Sequence, residues 1–161
     1  VSMFDGPPPM VVACTDTDHE CRIVGNWIKD RLQEGCAPSE VGIFVRSDAE
    51  LKRARAAVKA AGARAIELND KVEVEDGAVA ISTMHFAKGL EFRSVVVMAC
   101  DDDVIPQSDR IESVADDADL EEVYNTERHL LYVACTRARD HLLVTGIAPV
   151  SEFVDDFLKG T

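Results

Sequence analysis

The sequence predicts an α/β fold: one domain built on a mostly parallel sheet with helices on both faces. Two observations carry this expectation. Apolar runs of about five or six residues, fit for buried strands, alternate along the chain with longer segments whose apolar residues recur at helical spacing. That alternation is how a parallel sheet covered on both faces is written in sequence. No internal repeat interrupts it.

The elements follow in order. Residues 1–9, with the run Pro7-Pro8-Pro9, form an extended lead-in, and residues 10–161 form the domain. Met10 to Cys14 is a first strand. Thr17-Asp18-His19-Glu20 fits a capping box, with the threonine hydroxyl taking an orphan amide and Glu20 reaching back. Cys21, Val24, Ile28 and Leu32 then mark a helix that Gly35 closes. Val41 to Val45 is a second strand. Ser47-Asp48-Ala49-Glu50 fits another capping box, opening a helix with Leu51, Ala54, Val58 and Ala61 on one face and Gly62 at its end. Ala65 to Leu68 is a short third strand, and Glu75-Asp76-Gly77 is a turn. Val79 to Met84 and Ser94 to Cys100 are two further strands. After a loop containing Pro106, a long helix is expected through Leu120, Val123, Leu130, Leu131, Ala134 and Ala138, its stripe interrupted by Glu127 and Arg128. His141 to Thr145 is the last strand and Val150 to Leu158 a closing helix.

Composition narrows the class. Of 161 residues, 47% are hydrophobic and 29% charged, as in an ordinary globular domain. No apolar run approaches the roughly 20 residues of a membrane-spanning helix, and the N-terminus lacks a signal-peptide layout. Val1 is not an initiator methionine, so a piece of a longer protein is expected. The cysteines at 14, 21, 36, 100 and 135 form no CxxC pair and read as small hydrophobes in a reducing cytoplasm. The net charge of −13 argues against nucleic acid until its distribution is seen. Residues 100–127 hold eleven acids against Arg110 and carry −10, so the rest carries only −3.

In a parallel sheet, ligands gather at the carboxyl ends of the strands. The expected places are therefore Arg46, Thr83 to Glu91, Asp101 to Asp103 and the Thr136-Arg137 corner. The strongest signal is Ser82-Thr83-Met84-His85-Phe86-Ala87-Lys88-Gly89-Leu90-Glu91-Phe92. A strand ends there in small polar residues, and Gly89 permits a tight turn or close approach to a ligand. The second is Glu127-Arg128-His129-Leu130-Leu131-Tyr132-Val133-Ala134-Cys135-Thr136-Arg137-Ala138-Arg139, where a hydroxyl and a guanidinium follow a helix core. Taken singly, each residue has a plainer reading: His85 as a strand-end polar residue, Glu91 as a surface acid, Arg46 as a surface bridge. Arg128 and Arg139 are expected in ion pairs with nearby acids.

Together these two stretches resemble motifs V and VI of UvrD/Rep-type superfamily-one DNA helicases, and Ile43-Phe44-Val45-Arg46-Ser47 resembles their motif IV, all in matching order. The resemblance runs from about Val41 to Gly146. It implies a RecA-like, P-loop NTPase-like second motor domain. It further implies that Arg46 and Arg137 reach the γ-phosphate of ATP, where a permanently charged, bidentate guanidinium stabilises phosphoryl transfer. Glu91 matches the acid that binds the ribose. Thr83, His85 and Lys88 match the region facing single-stranded DNA, although Lys88 fits the nucleotide side as well. ATP and Mg2+ would be held mainly by an N-terminal P-loop domain of the same parent, because GxxxxGK[ST] is absent here. Polarity 3′ to 5′ follows from the resemblance alone; a cytoplasmic location is expected from the cysteines, and DNA repair, recombination and replication restart all stay open as pathways.

Departures matter too. Only 35 residues separate Arg46 from Ser82, so the large subdomain that UvrD and Rep insert there is absent. His129 stands where an arginine is common, and no role is carried onto it. Asp101-Asp102-Asp103 follows an apolar strand as a magnesium ligand does in P-loop enzymes, but without the P-loop it reads as a solvated or interdomain loop. Two other readings stay open: a non-catalytic helicase-like module that binds DNA or protein, and a small α/β enzyme using the sheet edge. The isolated chain is expected neither to hydrolyse ATP nor to bind it tightly.

Overall fold

Hydrophobic periodicity settles the architecture. In the computed structural model, which describes residues 7–159, six strands form one sheet in the order β1-β6-β5-β2-β4-β3, and every pairing is parallel. The strands are β1 (Met10–Cys14), β2 (Val41–Val45), β3 (Arg64–Glu67), β4 (Ala78–Thr83), β5 (Phe92–Val97) and β6 (Ala138–Ile147). The helices are α1 (Thr17–Gln33), α2 (Leu51–Ala60), α3 (Ser108–Glu112), α4 (Asp117–Cys135) and α5 (Glu152–Lys159). Residues 1–6 of the expected lead-in lie outside the described residues.

Both faces of the sheet are covered, and the alternation of side chains along each strand divides them. Ile43, Val45, Val79, Ile81 and Val96 face α1 and α2, where they meet Val24, Trp27, Ile28, Ala54 and Val58. Phe44, Ala80, Val95, Val97 and Val144 face the other way, against Leu131, Ala134 and Cys135 of α4 and Phe153 of α5. Each such aliphatic side chain contributes about 1.5–3 kcal/mol on full burial. Gly25 lets α1 approach α2 closely: a Cβ there would stand 3.0 Å from that of Ala60.

Several local expectations need correction. The first helix is capped by Asp16, whose carboxylate accepts from the His19 amide at 2.7 Å, and not by a Thr17/Glu20 box. Glu20 has no solvent exposure at all and points inward. Ser47 gives its hydroxyl to the Glu50 carboxylate at 2.6 Å, so this pair bonds side chain to side chain and no hydroxyl caps an amide. A 3-10 turn, Asp48–Glu50, precedes α2. The long helix begins at Asp117 under an Asp116 cap (the Asp119 amide donates at 2.9 Å) and ends at Cys135. Ala138 therefore opens β6; the turn at Thr136-Arg137 intervenes, and periodicity across it was coincidental. β5 starts at Phe92 and stops at Val97. Ala99, at φ 59°, turns the chain away, its amide taken by Glu20 at 3.0 Å.

Glu20 organises one end of the sheet. Its Oε1 accepts from Arg53 Nε at 2.9 Å, and its Oε2 accepts from the Ala99 amide and the Thr145 hydroxyl. Arg53 also reaches Asp101 at 2.8 Å, and Asp101 accepts from the Ile147 amide at 2.7 Å. Asp101 is thus a buried structural tie and not the solvated loop expected of it, whereas Asp102 and Asp103 are exposed. Four of the cysteines are buried and Cys21 is half-buried, all as free thiols. Burial pushes Cys135 up to about 12, far from the reactive thiolate.

Gly146 marks a contact where the chain cannot give. A Cβ there would stand 2.7 Å from the carbonyl carbon and oxygen of Cys100. Gly146→Ala is expected to cost about 1–3 kcal/mol or more through backbone displacement. Urea unfolding of the two proteins, with a lowered midpoint and unchanged slope, checks this.

Candidate functional site

Because all strands run the same way, the expected site residues fall at two opposite edges of the sheet. Arg46 and Thr83 follow the last residues of β2 and β4 or end them, at the carboxyl edge. Glu91 and Arg137 immediately precede Phe92 and Ala138, which are paired in register at the amino edge. The expectation that all would share the carboxyl edge is therefore corrected. Two elements join the edges: the 84–91 segment, descending from the end of β4 to the start of β5, and α4, antiparallel to the strands.

At the carboxyl edge the centre is Glu127, which has no solvent exposure. Arg46, 3% exposed, clamps it with two bonds, Nε to Oε1 at 2.8 Å and Nη2 to Oε2 at 2.6 Å. The Gln107 amide donates at 2.6 Å and Arg110 Nη1 at 3.0 Å. Burial alone pushes the Glu127 carboxyl up. The Arg46 and Gln107 hydrogen bonds and the two guanidinium charges outweigh that, leaving its pKa below the ordinary value. Arg46 has two more partners: Gln107 Oε1 at 3.2 Å, and His85 Nε2, 3.2 Å from its Nη1.

His85 sits on the 3-10 turn Met84–Phe86, anchored by buried Met84 and Ala87. His85, Phe86 and Lys88 are exposed, and Phe86 keeps 43% of its surface in solvent. Thr83, expected to face a nucleic acid strand, is only 6% exposed. Gly89, at φ 86°, takes the turn that any side chain would strain, and so lets the segment descend to Leu90 and Glu91.

At the amino edge Arg137 is half-buried and folded back on its own helix end. Its Nε donates to the Val133 carbonyl at 3.1 Å, Nη1 to the Leu90 carbonyl at 3.3 Å, and Nη2 lies 3.3 Å from the Thr136 hydroxyl. The Phe92 amide donates to the Arg137 carbonyl at 3.0 Å, fixing Glu91, which is exposed, beside it. Among the described residues no carboxylate pairs with Arg137, unlike Arg46. Arg139 pairs with Asp140 at 3.5 Å; Arg128 donates to the Asn125 side chain at 3.0 Å and lies 4.8 Å above the Phe153 ring. Glu127 and Gln107 were not singled out as site residues, yet a charged residue inside an apolar helical stripe was the signal for the first. Nothing in sequence pointed to Gln107.

This is the fold of the C-terminal domain of RecA-like helicases. The UvrD-like helicase C-terminal domain family matches residues 63–148, more than half of the chain, and the chain belongs to that family. The putative ATP-dependent DNA helicase YjcD of Bacillus subtilis (strain 168) is 41% identical over 78 residues, 47% of this chain and 10% of that protein. The ATP-dependent DNA helicase PcrA of Staphylococcus aureus (strain NCTC 8325 / PS 47) is 41% identical over 76 residues, with the same coverage of 47% and 10%. The chain thus spans about a tenth of the length of the curated relatives it matches. Among solved structures, the C-terminal domain of a possible DNA helicase from Lactobacillus plantarum WCFS1 superposes with a TM-score of 0.69 at 21% identity, covering 95% of this chain and 84% of that one. The C-terminal domain of the DEAD-box protein Dbp5 gives 0.51 at 12% identity, over 97% and 83%. These last two likenesses are of fold.

The lowered pKa of Glu127 has a measurable consequence. A carboxylate whose pKa is lower folded than unfolded adds stability that is complete above the ordinary carboxylate range and is lost as pH falls through the lowered value. Glu127→Gln should flatten the acid side of the stability curve. Glu127→Ala, which leaves Arg46 buried without its partner, should cost about 3–5 kcal/mol at neutral pH. Urea titrations across the acid range check both.

Proposed function

We propose that this chain is one wall of the ATPase cleft of an ATP-dependent DNA helicase, and that Arg137 is the arginine it presents to the γ-phosphate. The observation that carries this reading is the state of Arg137: a half-buried guanidinium whose partners are two carbonyls and a hydroxyl. A permanent cation held by neutral oxygens is poised for an anion, and phosphate offers oxygens that match its fork. Glu91 lies on the adjoining turn, where a carboxylate accepts ribose hydroxyl protons. Bound ATP supplies the phosphoryl group and the free energy of its hydrolysis; the wall's part is to stabilise charge on that group and to exclude water.

Arg46 is the second candidate for the γ-phosphate. Its charge is occupied by Glu127 at a level six residues, about 9 Å, along α4 from Val133. One phosphate meets both guanidinia only after Arg46 is drawn from that clamp, which domain closure would have to do. Mg2+ is proposed to arrive with the nucleotide on a P-loop domain of the parent chain. Among the described residues no three acids, histidines or cysteines are grouped as a metal site.

The opposite edge serves single-stranded DNA in this reading, with His85 and Lys88 on the exposed turn meeting phosphates and Thr83 shaping the turn from beneath. The coupling of the edges by α4 and the 84–91 segment suits a motor that moves a strand as its nucleotide cleft opens and closes. Movement 3′ to 5′ is proposed from the family, and a cytoplasmic location from the free cysteines. No helix among the described residues is long and apolar enough to cross a membrane.

ATP turnover by the full-length parent, with and without single-stranded DNA, tests the proposal. Arg137→Ala is expected to lower DNA-stimulated turnover by about 10³–10⁵ while ATP still binds. Turnover indifferent to Arg137, or none in the wild type, would return the domain to a non-catalytic interaction module. The 161-residue chain alone should bind single-stranded DNA weakly and lose that binding steeply as salt rises.

A further inference from the structure

The hydrogen-bond chain Glu127–Arg46–His85 fixes more than position. An arginine guanidinium has five donors and no acceptor. With Arg46 Nη1 3.2 Å from His85 Nε2, the only hydrogen bond the pair can make is one in which Nε2 accepts. The ring's proton must then sit on Nδ1. That nitrogen has no partner among the described residues, and His85 is exposed. The position of Arg46 is set by its other partners and not by the ring. Two bonds to Glu127 and one to Gln107 set the plane of its guanidinium, and both Arg46 and Glu127 are buried.

We infer that Arg46, braced by Glu127, is a positioning residue that holds His85 as the Nδ1–H tautomer and so turns a hydrogen-bond donor toward the phosphodiester oxygens of single-stranded DNA. This rests on the strand-contact reading above and adds the donor atom, its cause and a role for Glu127. A phosphate diester offers only acceptors. A histidine free to choose its tautomer would present an acceptor part of the time, and the fixed bond removes that choice. The buried carboxylate on α4 thereby governs the chemistry of an exposed ring on the other side of the cluster.

Long-range proton–nitrogen correlation spectra of the 161-residue chain test the tautomer directly, with His85→Asn identifying the ring's signals. His85 is expected as a single form, Nε2 bare and Nδ1 protonated. In Arg46→Lys and Glu127→Gln, checked as folded by circular dichroism, the signals should move toward the averaged pattern of a free histidine. Binding of a fluorescein-labelled oligothymidylate at low salt tests the donor. An asparagine amide can take the place of Nδ1–H and a glutamine amide that of Nε2, so His85→Asn is expected to bind about tenfold more tightly than His85→Gln. A protonated Nε2 in wild-type chain that binds the oligonucleotide overturns the tautomer assignment alone. An Nε2 bare in Arg46→Lys and Glu127→Gln as firmly as in wild type overturns the positioning role. A chain with the expected tautomer that ignores the oligonucleotide, or the reverse order of the two variants, overturns the donor assignment; the first of these also removes the strand-contact reading beneath it.

Discussion

A carboxylate without solvent, surrounded by four donors from three parts of the chain, is the constraint on which this end of the molecule depends. Glu127 lies on α4, its guanidinium partners on the loop after β2 and on α3, and its amide partner just before α3. An ion so deeply buried is stabilising only if its oxygens are fully satisfied. The four donors satisfy them, and in doing so bind α4 to the sheet's carboxyl edge at one angle. The dense acidity of residues 100–127 is tolerable for the same reason. Its two buried acids are neutralised, Glu127 by Arg46 and Arg110 and Asp101 by Arg53, and the rest face water.

The same device appears twice. Glu20 on α1 and Glu127 on α4 are each the one charged residue on the buried face of their helix, one on each face of the sheet, and each receives an arginine from the neighbourhood of α2's start: Arg53 in one case and Arg46 in the other. The two helices are thereby locked to the segment following β2, with the sheet between them. Hydrophobic packing fixes how close the layers lie; directional bonds at the carboxyl edge fix their register along the strands. At the amino edge, among the described residues, no carboxylate clamps Arg137, whose partners are two carbonyls and a hydroxyl.

Sequence made the fold legible because each strand and helix announces itself through apolar period, and parallel strands need no more than that. Motif order likewise brought Arg46, Glu91 and Arg137 into view. What it could not supply was the third dimension of those motifs. Glu20 and Thr17 stand at capping-box spacing, and spacing does not reveal that Asp16 already performs the cap and frees Glu20 to turn inward. Ala138 continues a helical period across a turn and belongs to a strand. Thr136-Arg137 follows a helix and not a strand, so a rule about strand ends placed it at the wrong edge. In each case a local pattern had two structural solutions, and long-range contacts chose between them.

The separation of the edges bears on how such a domain transmits force. Arg137 and Glu91 lie just past the ends of α4 and of the 84–91 segment, whereas Glu127 stands midway along α4 and His85 near the start of that segment. A packed helix resists compression along its axis, because its hydrogen bonds run in that direction. On the proposed reading, a displacement of the Arg137 corner by a nucleotide would be passed along α4 toward Glu127. There the Arg46 clamp would pass it to the turn that carries His85, through the 3.2 Å contact between the two side chains. The 84–91 segment is a second connection between the edges and makes its turn at Gly89. On the proposed reading, a helix packed against the sheet beside a connecting segment outside it would let the turn shift while the strands stay paired, which a domain that moves a strand repeatedly requires.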